Sequence, residues 1–104
     1  MSKINKKYAT ICTRELFKDK QHGAHQLPLY QSTSFCPENM EEGMEVFQGK
    51  KKGFIYTRYG NPTIEAVEKK LAMLESLGGD TDCHAVLTSS GMSAISTLMQ
   101  ALLP

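Results

Sequence analysis

The sequence predicts an α/β fold in which one strand lies between amphipathic helices and an extended arm precedes them. Three observations carry this reading. A short apolar run, Ala85-Val86-Leu87, ends in the small residues Thr88-Ser89-Ser90-Gly91. Ahead of it, Ile64, Val67, Leu71 and Leu74 recur at helical spacing behind Asn61-Pro62. After it, Ile95, Leu98, Met99 and Leu102 repeat the same period. A strand with a helix on each side is buried between layers, as in parallel α/β sheets.

Taken in order, residues 1–26 are polar, with apolar positions scattered at Ile4, Tyr8, Ile11, Leu16 and Phe17. A helical turn fits within Tyr8–Phe17, and Gly23 ends the pattern. His22 and His25 stand at a spacing that metal ligands use, but Gly23 weakens a helix between them and no third ligand is near. They belong to a solvated arm, and no metal site is expected. Leu27 to Phe35 is rich in strand formers but contains Pro28, which restricts it to an edge strand or an extended segment. Met40 to Gln48 fits a short helix or a lid-like loop. Lys50-Lys51-Lys52 reads as a solvated charged loop.

Asn61-Pro62 is a helix start. Asparagine accepts from the unpaired amides of a first turn, and proline suits the first helical position because its missing donor costs nothing there. Glu65 and Lys69 stand four apart and can pair on the outer face. Gly78-Gly79 should end this helix. Asp80-Thr81-Asp82 makes the loop, and Cys83 to Thr88 the strand. The division therefore falls at residue 61, with an arm and extended segment over 1–60 and a helix–strand–helix unit over 61–104. One strand cannot make a sheet, so its partners are expected downstream. The apolar finish Ala101-Leu102-Leu103-Pro104 likewise predicts a chain that stops inside a fold.

Composition narrows the function. The 104 residues carry a net charge of +1, which gives no electrostatic basis for binding nucleic acid or an anionic membrane surface. No apolar run approaches the about 20 residues of a membrane span. The start of the chain is basic but has no apolar core of a signal peptide. Three widely spaced cysteines, Cys12, Cys36 and Cys83, suit free thiols in a reducing compartment, so a cytoplasmic location is expected.

Two stretches carry chemistry. In Tyr56-Thr57-Arg58 a phenol and a guanidinium lie two apart, and in an extended segment they point the same way. Together they supply a neutral and a charged donor suited to a phosphate dianion. Only two arginines occur against ten lysines, so the placement of one here is informative. The alternative is a surface arginine lying over an aromatic neighbour such as Tyr59. The second stretch is the turn at Gly91-Met92. A helix beginning there leaves its first amides without intrahelical acceptors at the positive end of the dipole, where an anion is favoured.

Tyr56-Thr57-Arg58-Tyr59-Gly60-Asn61-Pro62-Thr63, then Ser89-Ser90-Gly91-Met92-Ser93-Ala94-Ile95, with Leu29-Tyr30-Gln31-Ser32-Thr33-Ser34-Phe35 upstream, resembles the trans-sulfuration family of pyridoxal-phosphate enzymes. That family includes cystathionine γ-synthase, cystathionine γ- and β-lyases, methionine γ-lyase and O-acetylhomoserine sulfhydrylase. The likeness covers about residues 25–104, roughly the first quarter of a family member. It implies the arm and first helix–strand–helix of a fold type I pyridoxal-phosphate-dependent transferase, with an incomplete sheet, and residues 61–104 as the start of the large cofactor-binding domain. It implies pyridoxal 5'-phosphate as cofactor, a small amino-acid substrate, and a homo-oligomer built as a dimer of dimers.

By match, Tyr56 and Arg58 reach across a dimer interface to the cofactor phosphate of the neighbouring subunit. Gly91 and Met92 hold the phosphate of their own subunit through backbone amides, and a side chain at 91 would crowd it. Met73, Met92 and Met99 read as core filling. The family's Schiff-base lysine, the aspartate at the pyridinium nitrogen and the ring-stacking aromatic all lie beyond position 104 of its pattern. Lys50 to Lys52, Lys69 and Lys70 stand on surface segments and do not replace that lysine, so no catalytic residue is assigned and the isolated chain is expected to be inactive. Two alternatives stand beside this reading: a non-catalytic fragment that docks on full-length subunits, and an unrelated phosphate-binding α/β fragment. So few elements bury little apolar surface, so incomplete order or aggregation along Ala85–Thr88 is expected of the chain alone.

Overall fold

Asn39 opens the first well-capped helix of the chain. Its Oδ1 accepts from the Glu42 amide at 2.8 Å, while the Glu42 carboxylate accepts from the Glu38 amide at 2.8 Å, a reciprocal arrangement close to a capping box. The computed structural model describes residues 8–13, 22–76 and 82–103. Four helices occur among them: α1 (Tyr8–Thr13), α2 (Met40–Phe47), α3 (Pro62–Glu75) and α4 (Gly91–Leu102). Helix α2 ends where Gly49 adopts a φ of 71°, which glycine reaches without strain, and the Lys50 amide closes back on the Glu45 carbonyl at 2.9 Å.

The segment around residues 28–35 runs extended and meets the segment before α3 through one antiparallel bridge, Ser34 with Tyr56. The Phe35 amide donates to the Ile55 carbonyl at 2.8 Å and the Thr57 amide to the Thr33 carbonyl at 2.9 Å. The Phe35 and Phe54 rings pack beside this bridge with centroids 5.6 Å apart. Immediately afterwards the chain turns, and the Tyr59 and Gly60 amides both close on the Tyr56 carbonyl, at 2.9 and 3.2 Å.

Helix α3 begins as its capping residues require, with the Asn61 side chain accepting from the Thr63 amide and Pro62 in the first turn. It ends at Glu75 with Ser76 as cap. The expected stop at Gly78-Gly79 and the loop through Thr81 lie outside the described residues, as do the second half of the Tyr8–Phe17 helix and residues 1–7. Helix α1 packs on α3, where Ile11 is 1% exposed and Lys70 donates to the Cys12 carbonyl at 3.0 Å. Glu65 pairs with Lys69 as the spacing predicts.

Two expectations need correction. The helix–strand–helix unit lacks its strand: residues 83–88 run without strand pairing, and no sheet forms among the described residues. Their apolar pattern needs a neighbouring strand, and Val86 remains 77% exposed. Met92 and Met99 do not fill a core, because nothing among the described residues covers α4, and Ile95, Leu98 and Leu102 are exposed beside them. The lysine run is exposed, as expected of a charged loop, and two of its members form surface ion pairs. Lys51 meets Glu42 at 2.6 Å and Lys52 meets Glu65 at 2.8 Å.

The shortage of buried apolar surface shows in the overall dimensions. The chain exposes 9243 Å², whereas a compact monomer of its mass exposes about 5,800 Å². Its radius of gyration is 16.3 Å, against about 13 Å for a compact domain of this length.

Candidate functional site

The turn after the Ser34–Tyr56 bridge fixes the first half of the site. It corrects the expectation that Tyr56 and Arg58 lie on one extended segment, since Arg58 stands inside the turn. The two side chains nevertheless come together. The guanidinium carbon lies 5.1 Å from the Tyr56 ring centroid and 6.0 Å from that of Tyr59, whose rings meet edge to face. Arg58 thus lies over its aromatic neighbours, the alternative the sequence offered. Among the described residues it meets no carboxylate, so its charge faces π surfaces and solvent. Arg58 borders two clefts. One of about 730 Å³ also touches Phe47, Tyr59, Asn61 and Leu87; the other, about 520 Å³, lies against Tyr30, Ser32 and Tyr56.

The second half is the start of α4. Ser90 caps the helix, its Oγ accepting from the Ser93 amide at 3.1 Å and its carbonyl from the Ala94 amide at 3.1 Å. Gly91 and Met92 occupy the first two helical positions, and their amides are among the four that have no backbone acceptor within the helix. Gly91 has neither a positive φ nor a neighbour within 4 Å of where a Cβ would stand. Nothing among the described residues therefore demands glycine there. Gly91 and Met92 border neither cleft described above, so neither of these clefts joins the two halves.

A guanidinium, a phenol and helix N-terminal amides can each donate to an anion, while the cleft of about 730 Å³ beside Arg58 is also lined by Glu65 and Glu68. Those donors are of the kind that binds a dianion. Two carboxylates, Glu42 and Glu65, are engaged with lysines. The Lys52 ammonium, and then Lys69, holds the Glu65 carboxyl below the usual value of 4.5, and Lys51 does the same to Glu42.

Sequence reasoning treated Asn61 only as a helix cap. It is 4% exposed, and its Nδ2 also donates to the Tyr30 carbonyl at 2.9 Å and to Thr57 Oγ1 at 3.2 Å. The hydroxyls at 57 and 63, flanking the turn, were the available signal. Glu68 was also missed as a tie: its carboxylate accepts from the Leu87 amide at 2.9 Å and so holds the segment that leads into α4.

A model of the family described as Cys/Met metabolism PLP-dependent enzyme matches residues 9–104. The chain belongs to this family. Its members depend on pyridoxal phosphate, in agreement with the cofactor expected from the sequence. Among curated relatives, an L-methionine gamma-lyase of Fusobacterium nucleatum subsp. polymorphum is 42% identical over 82 residues, 79% of this chain and 20% of the relative. An O-acetyl-L-homoserine sulfhydrylase of Corynebacterium glutamicum is 43% identical over 76 residues, 73% of this chain and 16% of the relative. A homocysteine/cysteine synthase of Saccharomyces cerevisiae is 34% identical over 84 residues, 81% of this chain and 18% of the relative. The chain thus spans about a fifth of the length of these relatives. No helix among the described residues is long and apolar enough to cross a membrane.

Proposed function

We propose that these residues form the N-terminal part of a pyridoxal-phosphate-dependent enzyme of sulfur amino acid metabolism, acting by γ- or β-elimination or by γ-replacement as a carbon–sulfur lyase or a synthase-type transferase. Residues 1–60 serve as arm and inter-subunit segment, and 61–104 begin the large cofactor-binding domain. When bound, the cofactor supplies the electron sink that lets an amino acid lose its α-proton. The role of this chain is to hold the cofactor's phosphate. The amides of Gly91 and Met92 donate to it within one subunit, and Arg58 and Tyr56 of a second copy donate from across the interface, in a homo-oligomer built as a dimer of dimers. The substrate is a small amino acid such as methionine or an O-acylated homoserine, by analogy with the relatives. The exposed thiols of Cys12 and Cys36 support a cytoplasmic setting.

The observation that carries the reading is the presence of anion donors at two family-matched stretches, with a glycine at 91 that nothing among the described residues requires. The remaining family groups, the covalent lysine above all, do not fall on these residues, so residues 1–104 alone should turn over no substrate. The test is a hybrid in which this sequence replaces the matching 82-residue segment of the Fusobacterium relative. It should retain pyridoxal phosphate through gel filtration and release a 2-oxo acid from L-methionine. Arg58→Ala in the hybrid should cost cofactor retention. Full retention by that variant would refute the assignment. The exposed apolar face of α4 favours a second reading, docking of the isolated chain on full-length subunits. Co-purification with the relative, present or absent, decides it.

A further inference from the structure

Asn61 is the most buried polar side chain among the described residues, at 4% exposure, and its bonds join α3, the extended arm and the residue between Tyr56 and Arg58. Its orientation is fixed by its partners: the Thr63 amide can only donate, so Oδ1 faces it at 2.8 Å, and the Tyr30 carbonyl can only accept, so Nδ2 faces it at 2.9 Å. The second Nδ2 bond goes to Thr57 Oγ1 at 3.2 Å, and Thr57 in turn donates to the Ser32 carbonyl. Thr63 completes the arrangement. Its hydroxyl accepts from the Tyr30 amide at 3.0 Å and lies 3.3 Å from the Pro28 carbonyl. Three side chains thus fasten the extended arm over 28–32 to the residue between Tyr56 and Arg58 and to the first turn of α3.

We propose that Asn61 is a positioning residue for the Tyr56–Arg58 grip: its amide locks Thr57 and the arm together and so holds the guanidinium against the two tyrosine rings. This deepens, and rests on, the reading of that pair as a phosphate grip. A helix cap needs only the Oδ1 acceptor. The two Nδ2 bonds reach away from α3, and a merely capping residue would not make them. A serine at this position would cap the helix, as Ser90 does for α4, and would fasten nothing else.

The test uses the full 104-residue chain, with inorganic phosphate as probe. Nuclear magnetic resonance reads the Arg58 side-chain shifts, displaced by the rings 5.1 and 6.0 Å away, and circular dichroism reads helix content. Asn61→Ser should keep α3 helical, move the Arg58 shifts to those of a free arginine, and weaken phosphate binding at Arg58 roughly fivefold, the effect of losing about one neutral hydrogen bond. Thr57→Val, which leaves the cap untouched, should do the same. Displaced Arg58 shifts that survive both substitutions overturn the proposal, as does a free-arginine shift in the unaltered chain. If the shifts depend on Asn61 but phosphate leaves Arg58 unmoved, the positioning role stands and the phosphate reading fails.

Discussion

Gly91→Ala separates the demands of the fold from those of a ligand, because the two respond with opposite signs. A Cβ at 91 meets nothing within 4 Å, and the residue's φ is not in the left-handed region. The fold therefore tolerates alanine, and α4 should gain from it. Glycine costs a helix interior about 1 kcal/mol relative to alanine, and at the first helical position a gain of about half that is expected. For the anion the result reverses. A hydrogen bond to a charged group contributes about 1.5–3 kcal/mol. A methyl that displaces the phosphate from one amide should therefore weaken its binding about 10- to 100-fold. Circular dichroism of the chain measures the first effect, and pyridoxal-phosphate dissociation from the hybrid with the Fusobacterium relative measures the second. Equal or tighter cofactor binding in the alanine variant, with helix content raised, would refute the reasoning about glycine at 91.

Other outcomes follow from particular contacts. Gly53→Ala places a Cβ 2.8 Å from Val46 Cγ2, and the stiff β-branched side chain cannot turn away cheaply, so the hybrid should lose about 1–3 kcal/mol in urea unfolding; a second change, Val46→Ala, should restore part of it. Glu68→Ala should speed hydrogen exchange at the Leu87 amide, whereas Glu68→Gln, which keeps an acceptor, should not; equal exchange in both would show that the 2.9 Å contact is not a tie. Glu42 and Glu65 titrate below 4.5, so their ion pairs are whole above that pH and are lost as pH falls through the depressed values. Lys51 and Lys52, engaged by Glu42 and Glu65, are held above 10.5, so at the alkaline end the same pairs persist until pH rises through the raised values. Carboxyl-carbon resonances followed from pH 7 downward, which should move below the pH of a free glutamate, check the acid limb.

Local signals in the chain were largely legible. Asn61-Pro62 opens α3 as capping chemistry requires, and the Glu65–Lys69 pair forms at its helical spacing. Ser90 at the start of α4 behaves likewise. What was not legible depended on partners or on tertiary contacts. Residues 83–88 carry a strand's composition, but a strand exists only when its backbone groups find another, and among the described residues none stands there. Met92 and Met99 carry a core pattern and stay exposed for the same reason. Arg58 was expected on an extended segment; two amides closing on the Tyr56 carbonyl made it a turn, which the glycine at 60 hinted at without fixing its position. The wider role of Asn61 lay in bonds to Tyr30, far away in sequence, which no local pattern encodes.

The most direct measurement is a structure of the cofactor-loaded hybrid. The account predicts the phosphate between the amides of Gly91 and Met92 of one subunit and the side chains of Tyr56 and Arg58 of another. A phosphate bound elsewhere, with Arg58 still lying over its two tyrosines and open to solvent, would contradict it.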